Sequence, residues 1–495
     1  MNIKSITYIL GWILKIEAVF MYLPIATALV YGESQGWAFV IAQLLSLAVG
    51  MFLTMRKPKK MVFYAREGFV TTALGWILMS TFGAFPFVIT GEIPSFVDAL
   101  FETVSGFTTT GSSILTDVEA LSHCSLLWRS FTHWIGGMGV LVFLLAVLPL
   151  VGGSNMQLMK AESPGPSVGK LVPKVRFTAR ILYLLYIVLT VLQFVLMLLG
   201  GMPVFDALCT AFGTAGTGGF GIKNDSIASY SPYLQWVITI FMILFGVNFN
   251  VYFLLYMRKI REALRCEEMR WYLGIIAVSA FLICVNTYDM ALTLENNARN
   301  SLFQVATIIT TTGFATVDFD LWPQFSKTIM VMLMFCGACA GSTGGGLKVS
   351  RFVIGAKGVG AYIGSFLHPR GVRKIRFEQK DVDKETVHAI LVYFITVIFI
   401  FSASVLLVSL DNQDLVTTFT SVAATFNNIG PGLNAVGPTC NFSGFSVLSK
   451  CVLIFDMLAG RLELFPMLLL LYPPLWKETV SEMKKRKRMR MRRNG

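Results

Sequence analysis

Charged residues make up only 14% of this 495-residue chain, where a soluble protein carries about 25%. That scarcity excludes a water-facing surface over most of the molecule. No small-residue cleavage site follows the opening MNIKSITYILGWILKIEAVF. Glu17 and the further apolar residues to Val30 read as a retained first span rather than a signal peptide. Eight cysteines are present, but Cys336 and Cys339 form a lone C-x-x-C inside an apolar run, whereas structural zinc wants four ligands. Cys124 and Cys440 both fall toward the outer face, where nothing requires them to pair. No nucleophile–base pair or metal cage is visible, which argues against a membrane enzyme. A phosphate-binding loop fails on spacing, because Lys348 does not directly follow a glycine and no Ser or Thr comes after it.

What is abundant is apolar. Hydrophobic residues reach 55%, with 40 Phe and 23 Met, the composition of a polytopic membrane protein. The net charge of +13 is placed for topology rather than for nucleic acid. Basic residues crowd Arg56 to Arg66, Lys160 to Arg180, Arg258 to Arg270, Lys348 to Lys380 and the tail KKRKRMRMRR. The intervening loops carry Glu92, Asp98, Glu102, Asp117, Glu119, Asp206, Asp225, Asp289, Glu295, Asp318, Asp320, Asp411 and Asp414. Positive charge stays cytoplasmic, so those loops open outward and both termini lie inside. An acidic outer face would concentrate cations at a mouth, and the basic tail reads as a topology anchor on anionic lipid.

One pattern recurs. DALFETVSGFTTTGSS (98–113) returns as DALCTAFGTAGTGGFG (206–221), SLFQVATIITTTGFAT (301–316) and, more loosely, TTFTSVAATFNNIGPG (417–432). Each starts as a short half-apolar helix, too short to cross, and ends in small residues, Thr or Asn, and glycine, between two long apolar runs. Irregular backbone at membrane depth is tolerated where it lines an ion or water path. Helix C-termini aimed at the cavity favour a cation, and four such loops on one axis would offer carbonyls to it.

The expected fold is an all-α polytopic membrane protein with two N-terminal transmembrane helices and four same-orientation span–pore loop–span repeats around a pseudo-fourfold pore. The first two spans cover 6–30 and 36–55, joined by an outer turn at Tyr31 to Gln35. The four units have spans near 68–90 and 125–151, 179–200 and 232–257, 271–288 and 325–350, and 386–408 and 445–472. The corresponding domains are 1–60, then repeats 61–155, 156–262 and 263–352, a cytoplasmic loop 353–380, repeat 381–476 and the tail 477–495. A shared orientation excludes inverted repeats of the kind many secondary carriers use.

The four loops, WRSFTHWIGGMGVLVF after the first, and CAGSTGGGLKVSR in the third unit carry a resemblance. Through them the chain resembles the Trk/Ktr/HKT superfamily of potassium transporters, and most of all its TrkH/TrkG branch, over essentially its whole length. The resemblance implies a filter built on Gly111, Gly219, Gly313 and Gly430. Before them stand Thr109 and Thr110, Thr217 and Gly218, Thr311 and Thr312, and Asn427, Asn428 and Ile429. Glycine at all four positions goes with potassium preference in the family, and serine at the first with sodium. The loops are not copies of TVGYG, so less stringent selectivity is expected, and the fourth departs most, with Pro431 after its glycine.

The resemblance also implies an intramembrane gate at Gly341, Ser342, Thr343, Gly344, Gly345 and Gly346, with Lys348 just beyond; a plain glycine hinge is the other reading. Arg461 lies inside the last span, where a charge is costly and functional by default. The family places it under the filter as a barrier to cations; pairing with Asp456 or Glu463 for packing is the alternative. His133 and Trp134 read as packing, and His368 and His388 as ordinary. The implied whole is the pore-forming subunit of a bacterial potassium uptake system in the plasma (inner) membrane. K⁺ is the transported ion and no covalent cofactor is expected. The implied partners are a second copy of the chain, membrane lipids and a cytosolic nucleotide-binding TrkA-like regulatory subunit. A sodium- or proton-coupled secondary cation transporter is the rival; it wants a midplane carboxylate, and none is evident beside the filters.

Overall fold

Uncharged runs of Leu, Ile, Phe and Val have one satisfactory form in hydrocarbon, the α-helix, because it pairs every backbone N–H and C=O within itself. The computed structural model describes residues 2–58, 64–137, 139, 175–290, 293–368 and 374–477, and it is helical almost throughout. Six helices among the described residues are long and apolar enough to cross a bilayer: Ile3–Tyr31, Gly36–Thr54, Arg66–Thr90, Ile181–Leu199, Glu267–Asn286 and Lys384–Asp411. Their outward faces are apolar, as at Phe281, Ile398 and Phe399. The first two turn over at Gly32, whose φ of 68° ends the first helix, and they pack closely where Gly11 and Gly50 meet.

Four shorter helices, Phe96–Phe107, Val204–Gly216, Leu294–Ile309 and Leu415–Phe426, each lead into one of the recurrent loops. Ser95, Thr293 and Asp414 cap three of them, the side chains accepting from Asp98, Asn296 and both Val416 and Thr417 N–H. Hydrogen bonds from Thr417, through its side chain and backbone, hold the Asp414 carboxyl below the ordinary range.

Three spans are broken: those of the second and fourth units, expected to be continuous, and that of the third, where the glycine run Gly341 to Gly346 is expected to break the helix. Residues 232–257 form Pro232–Gly246 and Phe249–Tyr256, bent by 90°, with Asn248 capping the second piece through Asn250 N–H at 2.9 Å. Residues 325–350 stop at Met334 and resume at Val349, leaving 335–348 non-helical. Residues 445–472 break after Arg461, where Glu463 and Leu464 take φ of 54° and 66° ahead of Pro466. An N-capping Asn, a glycine run and a proline are the respective breakers.

The range 353–380, expected as a loop, continues the helix Val349–Leu367 and then forms a two-stranded hairpin, Arg376–Phe377 with Lys380–Asp381. The later part of the span 125–151, the basic stretch 160–174 and the tail 478–495 lie outside the described residues apart from Gly139.

Candidate ion-conduction site

The four loops share one backbone trace. Thr110, Gly218, Thr312 and Ile429 each donate N–H to the carbonyl five residues back, Ser105, Gly213, Thr307 and Ala424, at 2.8 Å in every case. That six-to-one bond ends a helix when the residue before it turns left-handed. Here those residues are Thr109, Thr217, Thr311 and Asn428, with φ of 56°, 55°, 58° and 55°. Threonine is β-branched and strained in that region. Two residues on, Gly111, Gly219, Gly313 and Gly430 have φ of 82°, 75°, 90° and 106°.

The loops also meet in a closed cycle. A side chain on Gly111 would strike Gly218 O, on Gly219 Thr312 O, and on Gly313 Ile429 O; on Gly430 it would reach Thr110 O at 3.0 Å. First touches second, second third, third fourth, and fourth first. The four glycines line one cavity of about 160 Å³ that also reaches Arg129, Lys223 and Asn224. The filter candidates are buried apart from a partial opening at Gly111 and Gly313.

Side chains lock the cycle. Asn428 Nδ2 donates to Thr110 Oγ1 and to Met457 O, both at 2.9 Å, and Ser112 Oγ donates to Gly430 O at 2.9 Å. His133, expected only to pack, joins the first two loops: Nδ1–H donates to Gly106 O at 2.8 Å and Nε2 accepts from Phe220 N–H at 3.2 Å, which fixes its tautomer. Its ring fills the space beside Gly218, where the other loops carry Thr110, Thr312 and Ile429. Glu102, expected on an acidic outer face, is buried against Arg129 at 2.8 Å and accepts from Ser113 Oγ and Ile114 N–H. Asp98 pairs with Lys450, Glu92 accepts from Ser122 and Ser125, and Asn224 bridges Asp117 and Glu119. These outer carboxylates hold loops together.

The segment 335–348 lies against the third and fourth loops. Gly345 N–H donates to Thr311 Oγ1 at 2.7 Å, and side chains added at Gly345 and Gly346 would meet Asn428 and Asn427. Carbonyls freed by the break at 247 are taken up by this segment: Gly246 O accepts from Cys339 N–H at 3.1 Å and Phe245 O from Thr343 Oγ1 at 3.2 Å. Lys348 folds back onto the carbonyls of Gly344 and Gly345. Glu268, which the sequence reading passed over, accepts from Ala340 and Ser350 N–H. Its signal was the adjacent acidic pair Glu267–Glu268 inside the mainly basic stretch Arg258 to Arg270.

Arg461 pairs with neither expected carboxylate. Its guanidinium donates to Thr343 O at 2.9 Å and Gly136 O at 2.8 Å, joining the glycine-rich segment to the helix His123–Gly137. Asp456 accepts from Ser404, and Glu463 is the ion-pair partner of Arg351, which also lies 4.1 Å over Tyr393. A carboxylate beside the first pore helix was also missed. Glu17 is 2% exposed, neither of its oxygens has a hydrogen-bond partner among the described residues, and it shares a small cavity with Phe107 and Trp76. Cys124 and Cys440 are unpaired thiols.

Comparison with known proteins agrees with this architecture. The family model TrkH, described as cation transport protein, matches residues 35–477. The Trk system potassium uptake protein TrkH of Salmonella typhimurium is 36% identical over 97% of this chain and 100% of its own. The corresponding TrkG of Escherichia coli is 32% identical over 96% and 99%. Among solved structures, the potassium transporter TrkH from Vibrio parahaemolyticus superposes with a TM-score of 0.87 at 30% identity, covering 96% of this chain and 100% of its own. With its fold, its loops and its full-length relatives in agreement, this chain belongs to the TrkH family of cation transport proteins.

Proposed function

We propose that this chain is the pore-forming subunit of a bacterial potassium uptake system, conducting K⁺ inward through the cycle of four loops. The observation that carries the reading is the shared backbone trace of those loops together with their closed order of contact. Four strained turns in one ring are a costly arrangement that packing alone does not require. An oxygen-lined ring suits a dehydrated monovalent cation. The filter is Thr109, Thr110 and Gly111, Thr217 to Gly219, Thr311 to Gly313, and Asn427 to Gly430. The potassium named in the relatives' descriptions supports the choice of ion.

Gly341 to Gly346 is the gate, held by Lys348 and by Arg461, whose charge beneath the filter also raises the barrier to cations. The driving force is the membrane potential, about 2.3 kcal/mol per charge for each 100 mV. The chain sits in the bacterial inner membrane with both termini cytoplasmic, as four same-orientation repeats with the boundaries given above. It works as a homodimer with a cytosolic nucleotide-binding TrkA-like subunit.

Glu17 and Asp456 are buried carboxylates within spans that the coupled-carrier reading would use, but neither lines the cavity of the four loops. Rubidium uptake by purified protein in liposomes tests both. Uptake driven by potential alone supports the channel-like pore; uptake that needs an imposed proton or sodium gradient overturns it.

A further inference from the structure

Glu268 is 3% exposed on the first turn of the helix Glu267–Asn286. Its Oε1 accepts from Ala340 N–H at 2.7 Å and Ser350 N–H at 3.2 Å, and its Oε2 from Asn248 Nδ2 at 3.4 Å. Ala340 precedes Gly341 and Ser350 lies two residues past Lys348, so one carboxylate closes both ends of the glycine-rich segment. Asn248 adds the break of the neighbouring span to the same node.

The other side of Glu268 is tied to the hairpin. Its N–H donates to Glu378 Oε1 at 3.0 Å, and Cys266 Sγ donates to the same oxygen at 3.2 Å. Cys266 is the N-cap of the helix and its side chain accepts no capping bond, so the cap comes from a carboxylate 110 positions away. Glu378 and Gln379 form the hairpin turn with φ of 51° and 61°. A turn that is left-handed at both positions favours Asn-Gly, so Glu-Gln is a poor choice by local preference. It is held there by what Glu378 touches. Lys357 fastens the same corner, pairing with Glu267 and donating to Arg376 O at 2.7 Å.

We propose that Glu268 is the positioning residue of the gate segment, and that the hairpin 374–382 is its cytosolic handle, linked through Glu378. The inference rests on the gate reading of Gly341 to Gly346. Moving the hairpin withdraws Glu378 from the helix start, shifts Glu268, and frees Ala340 and Ser350 together. The handle is reachable: the Lys374, Arg376 and Asp381 side chains are 66%, 76% and 43% exposed.

The test is rubidium uptake in liposomes without any partner protein, normalised to inserted protein and read alongside thermal stability. Glu268→Ala should raise ungated uptake about tenfold, equivalent to about 1.4 kcal/mol of lost hold on the segment. Glu268→Gln keeps the shape and one acceptor and should give a smaller rise; it carries the test if the alanine variant folds poorly. Glu378→Ala should also raise uptake, and the double variant should exceed Glu268→Ala by no more than experimental scatter, because the two act in series. Uptake that stays level or falls with stability in both Glu268 variants overturns the inference, as do effects that multiply. Deleting Ser342 to Gly345 separates the two failures. If the deletion raises uptake while the Glu268 variants do not, the gate stands and the positioning role falls. If the deletion does not raise uptake, the gate reading fails and this inference with it.

Discussion

At single residues, the ring converts small geometric differences into graded expectations. A methyl group on Gly219 runs into Thr312 O, whereas on Gly430 the nearest atom, Thr110 O, is 3.0 Å away. Both positions have positive φ, which costs about 1 kcal/mol for any L side chain. Gly219→Ala should therefore abolish selective uptake, and Gly430→Ala should only lower the K⁺ over Na⁺ ratio; competition of sodium against rubidium uptake measures both. Arg461 is the second case. Two hydrogen bonds from a charged group are worth about 1.5–3 kcal/mol each, so Arg461→Gln should release Thr343 and raise ungated flux by tenfold or more. Arg461→Lys should lie between. Lower uptake per inserted protein for the Gln variant would show that the side chain only packs. The reach of Arg461 to a backbone carbonyl was not legible beforehand, because Asp456 and Glu463 are nearer in sequence and the turn at 463–464 carries Glu463 to Arg351 instead.

Among elements, the short helices hold the loops in place, and the first is pinned by a buried pair. Glu102 and Arg129 are 1% and 2% exposed, and Glu102 also accepts from the first loop at Ser113 and Ile114. Glu102→Gln removes the countercharge and should destabilise the protein by about 3–5 kcal/mol, seen as a lowered unfolding temperature in detergent. Replacing the pair together, Glu102→Leu with Arg129→Met, should be milder than either single change. The signature WRSFTHWIGG has a reason here: its Arg, His and first glycine meet Glu102, Gly106 and Phe107 O. The motif was readable as a string, but its partners lie on another helix.

For the whole molecule, charge placement sets orientation. The described basic residues at Arg56, Arg258 to Arg270 and Lys374 to Lys380 lie at the ends of helices that do not lead into the four loops. A fluorescent protein fused to the C-terminus should fluoresce, and alkaline phosphatase inserted at Val118 should be active. The reverse pattern would invert the pore and with it the direction of uptake.

The apolar runs, the short half-apolar segments and their glycine ends were readable in one dimension, because hydrocarbon forces long uncharged runs into helices and glycine marks positive φ. Sequence by itself thus determined a polytopic helical protein with four equivalent loops. Only the tertiary structure decided which loop touches which, where the second and fourth units' spans break, and which charges meet. Those outcomes depend on contacts such as Ser112 with Gly430, 318 residues apart, or Glu268 with Ser350, 82 apart. No local preference encodes such pairs, since a buried donor takes whichever acceptor the packed helices bring within reach.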